Sequence, residues 1–149
     1  MSLSRNSLTP GALVLGAGGN VGFGVVGALL EAGSPVLAVG REGPRMSALA
    51  EHFDDEPGLD LLHAPCIHDD RDAARLAEQV RERGRPLRAV FASMGTPPQS
   101  GRLLDRPASF LLERLEADLI PHLAAARHLL PLLAEGQHAA NYVLIGGPY

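Results

Sequence analysis

The chain has 149 residues, 46% hydrophobic and 20% charged, a balance that suits one folded domain and excludes a disordered segment. A net charge of −4 without any basic tract argues against nucleic acid or an anionic membrane surface as the main partner. No apolar run approaches the roughly 20 residues of a membrane span. A single cysteine, Cys66, allows no internal disulfide, which fits a cytoplasmic setting.

Residues 1–10, MSLSRNSLTP, carry one Arg and no apolar stretch, so they read as a flexible tail rather than a signal peptide. Residues 11–149 form the expected domain. Five apolar segments bounded by turn residues predict buried strands at 12–16, 35–40, 59–66, 87–93 and 142–146. Helical patterns fill the gaps. The first spans 20–32 and is stopped by Gly33; the second spans 44–53. The third starts on an Asp69 or Asp70 cap and ends at Gly84, and the fourth covers 108–135. Strands alternating with helices predict an α/β fold with a parallel sheet covered on both faces, a three-layer αβα arrangement.

The stretch from Gly16 to Gly22, GAGGNVG, follows a predicted strand and opens a predicted helix. In that context glycines serve a dinucleotide phosphate site. Gly16 allows the tight turn, and Gly18 and Gly19 let backbone approach a pyrophosphate. Asn20, Val21 and Gly22 begin the helix, whose N-terminus attracts anions. Gly22 permits close helix packing, and Gly24 and Gly27 are expected to extend that contact. The bland alternative is a glycine-rich turn with a packing role only.

The end of the second strand bears on cofactor type. An NAD site would place Asp or Glu there to accept from the ribose 2′-hydroxyl. Here the strand ends Val39-Gly40-Arg41, with no carboxylate and with a guanidinium suited to a 2′-phosphate. NADP(H) is therefore expected ahead of NAD(H). Glu42 reaching a ribose hydroxyl, or a merely solvated Arg41, remain alternatives.

These residues together resemble the short-chain dehydrogenase/reductase family, from Leu13 to Pro148. LGAGGNVG stands where that family has its TGxxxGxG loop, with Leu15 in place of Thr. VGRE is similar to NADP-preferring members, and FASMG (91–95) to the NNAG segment, with only Gly95 retained and Ala92 and Ser93 in place of the asparagines. RLEADLIPHLAAARHLLPLLAE is similar to the family's long interface helix, and YVLIGG to its fifth strand. The resemblance implies a Rossmann-type doubly wound sheet of five strands in the order 3-2-1-4-5. It also implies cofactor contacts at Ala92, Ser93 and Gly95, an apolar adenine contact at Ile67, and a homo-oligomer.

Family enzymes transfer hydride between nicotinamide and a carbonyl or alcohol, using Asn, Ser, Tyr and Lys. Asp118 stands at the Asn position and Gly146 or Gly147 at the Ser position. The Tyr-x-x-x-Lys motif falls beyond the last residue, Tyr149 lies too near the fifth strand to replace it, and all 13 basic residues are Arg. The expectation is an atypical member truncated after the fifth strand and inactive by itself. The alternative is a non-catalytic NADP(H)-binding or structural module.

Other constellations are weaker. His63, Cys66, His68, Asp69, Asp70 and Asp72 lack metal-ligand spacing, and the acidic trio suits a helix start. Cys66 is expected to pack within an apolar strand. His122 and His128, six apart on the long helix, are expected at the surface or an interface. Pro121 either kinks that helix or starts a new segment. Residues 96–107, rich in Pro and Gly, read as a mobile loop near the site or as a plain connector.

Overall fold

Strand β1 (Gly11–Leu15) is apolar throughout, and all five of its residues are buried, as a strand covered on both faces requires. The structure is a computed structural model that describes residues 9–97, 100–136 and 138–146. Around β1 lie β2 (Val36–Gly40), β3 (Leu59–His63), β4 (Leu87–Ala92) and β5 (Asn141–Leu144). All pairings are parallel, and the order is β3-β2-β1-β4-β5. Leu15 lies level with Val39 on one side and Ala92 on the other, so three strand ends meet at one edge. Strand order reverses between β1 and β4, which opens a crevice beyond their carboxyl ends.

Alternation along the strands divides the core. Leu13, Leu15, Leu37, Val39 and Val90 join Leu76 of α3 (Asp70–Glu82) and Leu129 of α5 (Ile120–Ala134). On the other face Val14, Val36 and Ala38 join Val26 of α1 (Asn20–Glu31) and Met46 and Leu49 of α2 (Pro44–His52). Gly33 and Gly84, both with φ above +70°, follow α1 and α3. At that dihedral a side chain would be strained, which is why glycine ends these helices. Asp69 caps α3 by accepting from the Asp72 N–H at 3.0 Å, and that bond holds its carboxyl below the usual 3.8.

Three expectations need correction. β3 stops at His63 rather than at 66, because Pro65 has no N–H to give a ladder. Cys66 therefore lies outside the strand, and it is exposed rather than packed. The expected single helix over 108–135 is divided: α4 (Ala108–Arg114) passes through a π turn (Leu115–Leu119) into α5. Pro121 sits in the first turn of α5, where its missing N–H matters least, and Pro131 is accommodated within the helix. Of the expected tail, residues 1–8 lie outside the described residues, and the Thr9 carbonyl accepts from Arg85 at 2.8 Å. Within 96–107 the described part contains a 3₁₀ turn (Leu103–Asp105), and Arg106 donates to the Ser100 carbonyl at 2.6 Å.

Leu13, fully buried at the centre of the sheet, should carry a large share of this packing. Leu13→Ala is expected to lower the unfolding free energy by about 2–5 kcal/mol. Urea titration followed by circular dichroism measures it, and an unchanged midpoint would contradict the core assignment.

Candidate functional site

The turn from β1 into α1 is built by direct backbone contact. Gly16 has φ +72°, and a Cβ on it would lie 2.0 Å from the Ser93 carbonyl oxygen at the end of β4. A Cβ on Gly22, within α1, would lie 2.1 Å from the Gly16 carbonyl oxygen. Neither position tolerates a side chain unless backbone moves. The first turn of α1 thus rests on the loop, and the loop rests on β4, to which it is also tied by the Ser93 N–H donating to Leu15 at 3.1 Å.

Gly19 is the N-cap of α1; no side chain caps this end and its first turn contains no acid. The first-turn N–H groups and the positive end of the helix dipole therefore have no side-chain partner, an arrangement chemically able to attract an anion. Asn20 is exposed, and Val21 is 52% exposed beside the same turn. Two packing expectations fail here. Gly24 faces open space, with nothing within 4 Å of a Cβ, because it points away from the sheet. Gly27 makes room for the Phe53 ring, 3.3 Å from a Cβ, and does not extend the helix–sheet contact.

Arg41 follows β2 and is exposed, as are Glu42 and Arg45. Arg45 is a residue the sequence reading missed. Its Cβ lies 3.1 Å from where a Cβ on Gly18 would be, so its stem lies against the glycine loop. Pro44 already marked a helix start, but only the packing of α2 on the loop brings Arg45 to the site. The ion pairs and hydrogen bonds among the described residues include neither Arg41 nor Arg45. Ile67 is 7% exposed and belongs to the core beneath this edge, so little of its side chain is left for an adenine.

Across the crevice, Ala92 is buried and Gly95 turns the chain with φ +156°. The loop that follows is held by Asp118, in the π turn. Its Oδ1 accepts from the Thr96 N–H at 2.9 Å and the Thr96 hydroxyl at 3.0 Å, and Arg114 lies 2.6 Å from Oδ2. Arg114 also donates to the Thr96 hydroxyl oxygen. His122 is half-buried with Nε2 2.9 Å from the Met94 carbonyl, and His128 pairs with Asp70 at 3.0 Å. Both histidines are partly exposed, and each has a partner within the chain.

Gly146 faces open space, while Gly147, Pro148 and Tyr149 lie outside the described residues. Burial pushes the Tyr142 hydroxyl up to about 12, so it stays protonated near neutral pH. Among the described residues, no cluster of three or more His, Cys, Asp or Glu is placed to hold a metal, and no helix is long and apolar enough to cross a membrane. A cleft of about 410 Å³ lies at the other end of the sheet, between α3, α5 and Leu87.

No protein-family model matches the chain, and no curated protein matches its sequence. Solved structures do match in fold. Pseudomonas aeruginosa RhlG, in an NADP active-site complex, aligns at a TM-score of 0.79 and 23% identity over 98% of this chain. A short-chain type dehydrogenase/reductase from Mycobacterium ulcerans aligns at 0.78 and 18% identity over 93% of this chain. An oxidoreductase of the same kind from Burkholderia thailandensis aligns at 0.76 and 23% identity, also over 93%. This chain spans 57%, 51% and 52% of those chains, respectively. It has the Rossmann-type α/β fold of short-chain dehydrogenase/reductase structures, over about half their length.

Two glycines in one helix separate site packing from helix propensity. Gly22→Ala is expected to cost roughly 1–3 kcal/mol, since backbone must yield. Gly24→Ala has open space and should stabilise by up to about 1 kcal/mol. Thermal melts of both variants decide this, and equal shifts in one direction would refute the contact at Gly22.

Proposed function

We propose that this chain is the dinucleotide-binding part of an oxidoreductase of the short-chain dehydrogenase/reductase type, with NADP(H) preferred over NAD(H). The observation that carries this reading is the glycine stack, in which Gly16 and Gly22 bring an uncapped helix start against the ends of β1 and β4. The space beside Gly18 and Gly19 suits a pyrophosphate, which needs close backbone approach and N–H donors. Asn20 and Val21 line the same turn. Arg41 and Arg45, both exposed, supply cations for a 2′-phosphate, while Ala92, Ser93 and Gly95 form the opposite wall.

A bound nicotinamide dinucleotide would supply hydride transfer; this chain's residues bind and orient it. Protonation of a carbonyl oxygen needs an acid within hydrogen-bond reach. The chain has no Lys, Gly146 lacks a hydroxyl, and Asp118 replaces the family's amide with an acceptor-only carboxylate. The second reading, a non-catalytic NADP(H)-binding module, draws on Asp118, whose ion pair with Arg114 and bonds to Thr96 employ it in holding a loop. Either form would work in the cytoplasm, in keeping with its lone cysteine.

Calorimetric titration tests the binding. The wild type should take NADP(H) more tightly than NAD(H), and Arg41→Ala should reduce that preference by about 1.5–3 kcal/mol, roughly 10- to 150-fold. Equal affinities in the wild type would refute the preference. In the same samples, NADPH absorbance should stay flat with aldehydes and ketones.

Self-association is expected as well. Leu112, Leu115, Leu119, Leu123 and Leu130 are all exposed along α4, the π turn and α5, and Val143 and Leu144 are exposed on β5. Such a stripe beside an apolar end strand favours pairing. Light scattering should show dimers or larger species, reduced by Leu123→Lys with Leu144→Lys. A monodisperse wild-type monomer would contradict it.

A further inference from the structure

Gly40 ends β2 on the face shared by Val36 and Ala38, towards α2. The space a side chain would enter there is filled. A Cβ on Gly40 would lie 2.5 Å from Met46 Sδ and 2.9 Å from its Cγ. The same sulfur lies 3.5 Å from the Cβ position of Gly18, so one side chain spans the glycine loop and the end of β2. A thioether is ordinarily the adaptable filler of a core. This one is 1% exposed and packed with Val14, Ala17, Val26, Ala38 and Leu49, so withdrawing it means disturbing that cluster.

We propose that Met46 is a specificity-determining residue, occupying the volume that a carboxylate at position 40 would need. The inference rests on the dinucleotide reading above. The lack of a carboxylate at the end of β2 is then a matter of packing as well as of charge. Met46 keeps position 40 free of a side chain that would accept from the hydroxyl and repel a phosphate, while Arg41 and Arg45 supply the attraction. Gly40→Asp alone is expected not to convert the site to NAD(H), because the new Cβ would lie 2.5 Å from a sulfur whose side chain is held in the core beneath α2. Removing the thioether as well creates the room.

The test compares wild type, Gly40→Asp, Met46→Ala and the double variant by thermal melting and by calorimetric titration with NAD⁺ and NADP⁺. Gly40→Asp should melt below wild type, and the same substitution should cost less in the Met46→Ala background. NAD⁺ affinity should rise about tenfold or more only in the double variant. If Gly40→Asp alone melts like wild type and gains NAD⁺ as fully as the double variant, the proposal is overturned while the dinucleotide site stands. If the wild type binds neither nucleotide, the reading of the site falls and this proposal with it. Should Gly40→Asp not fold while the double variant does, the collision is confirmed directly. Should neither fold, Gly40→Ser replaces it, since its Cβ meets the same sulfur and its hydroxyl can pair with the ribose.

Discussion

The Gly16 carbonyl oxygen occupies the place where a Cβ on Gly22 would be, and the Ser93 carbonyl occupies the place where a Cβ on Gly16 would be. This pair of backbone contacts sets how close α1 begins to the ends of β1 and β4. A single methyl at either position would push the helix start outward and tilt its first N–H groups. The uncapped state of that helix follows the same logic. A Ser or Asp at position 19 could satisfy an N–H internally, and Gly19 leaves the helix start without a side-chain cap. Close packing and the open helix start here depend on the same absent atoms.

The β2 side of the crevice is shaped by one buried side chain and two exposed ones. Met46 points inward and closes the space above Gly40, while Arg45, its neighbour in sequence, lies against Gly18 at the surface. Successive helical residues point about 100° apart, so one turn of α2 can contribute to the core and to the rim at once. Glu42 is exposed beside Arg41, and the ion pairs among the described residues do not include it.

On the β4 side the π turn brings Asp118 to the loop after Gly95. A carboxylate there draws two donors from Thr96 and a guanidinium from Arg114, which fixes the loop more firmly than an amide would. It also leaves no donor facing the crevice from that side chain, since an ionised carboxylate only accepts.

Much of this was legible in the sequence. Apolar runs with Gly and Asp punctuation marked all five strands, and GAGGNVG marked the glycine turn between β1 and α1, because both signals are local. The order 3-2-1-4-5 followed from resemblance rather than from any local pattern. Errors arose where short-range physics competed: Pro65 ended β3 early and exposed Cys66, and the run 108–135 concealed a π turn beside Pro121. Periodicity could not show that Gly24 faces solvent while Gly22 faces backbone, since both are glycines on one helix. Nor could it place Ile67 in the core, Arg45 on the loop, Met46 against Gly40, or Asp118 on Thr96. The sequence alone determined the class of fold and the location of the glycine loop, through hydrophobic spacing and backbone freedom. Only the tertiary structure decided which side chains meet there, because those contacts join residues distant along the chain and depend on how β2, α2 and the π turn pack.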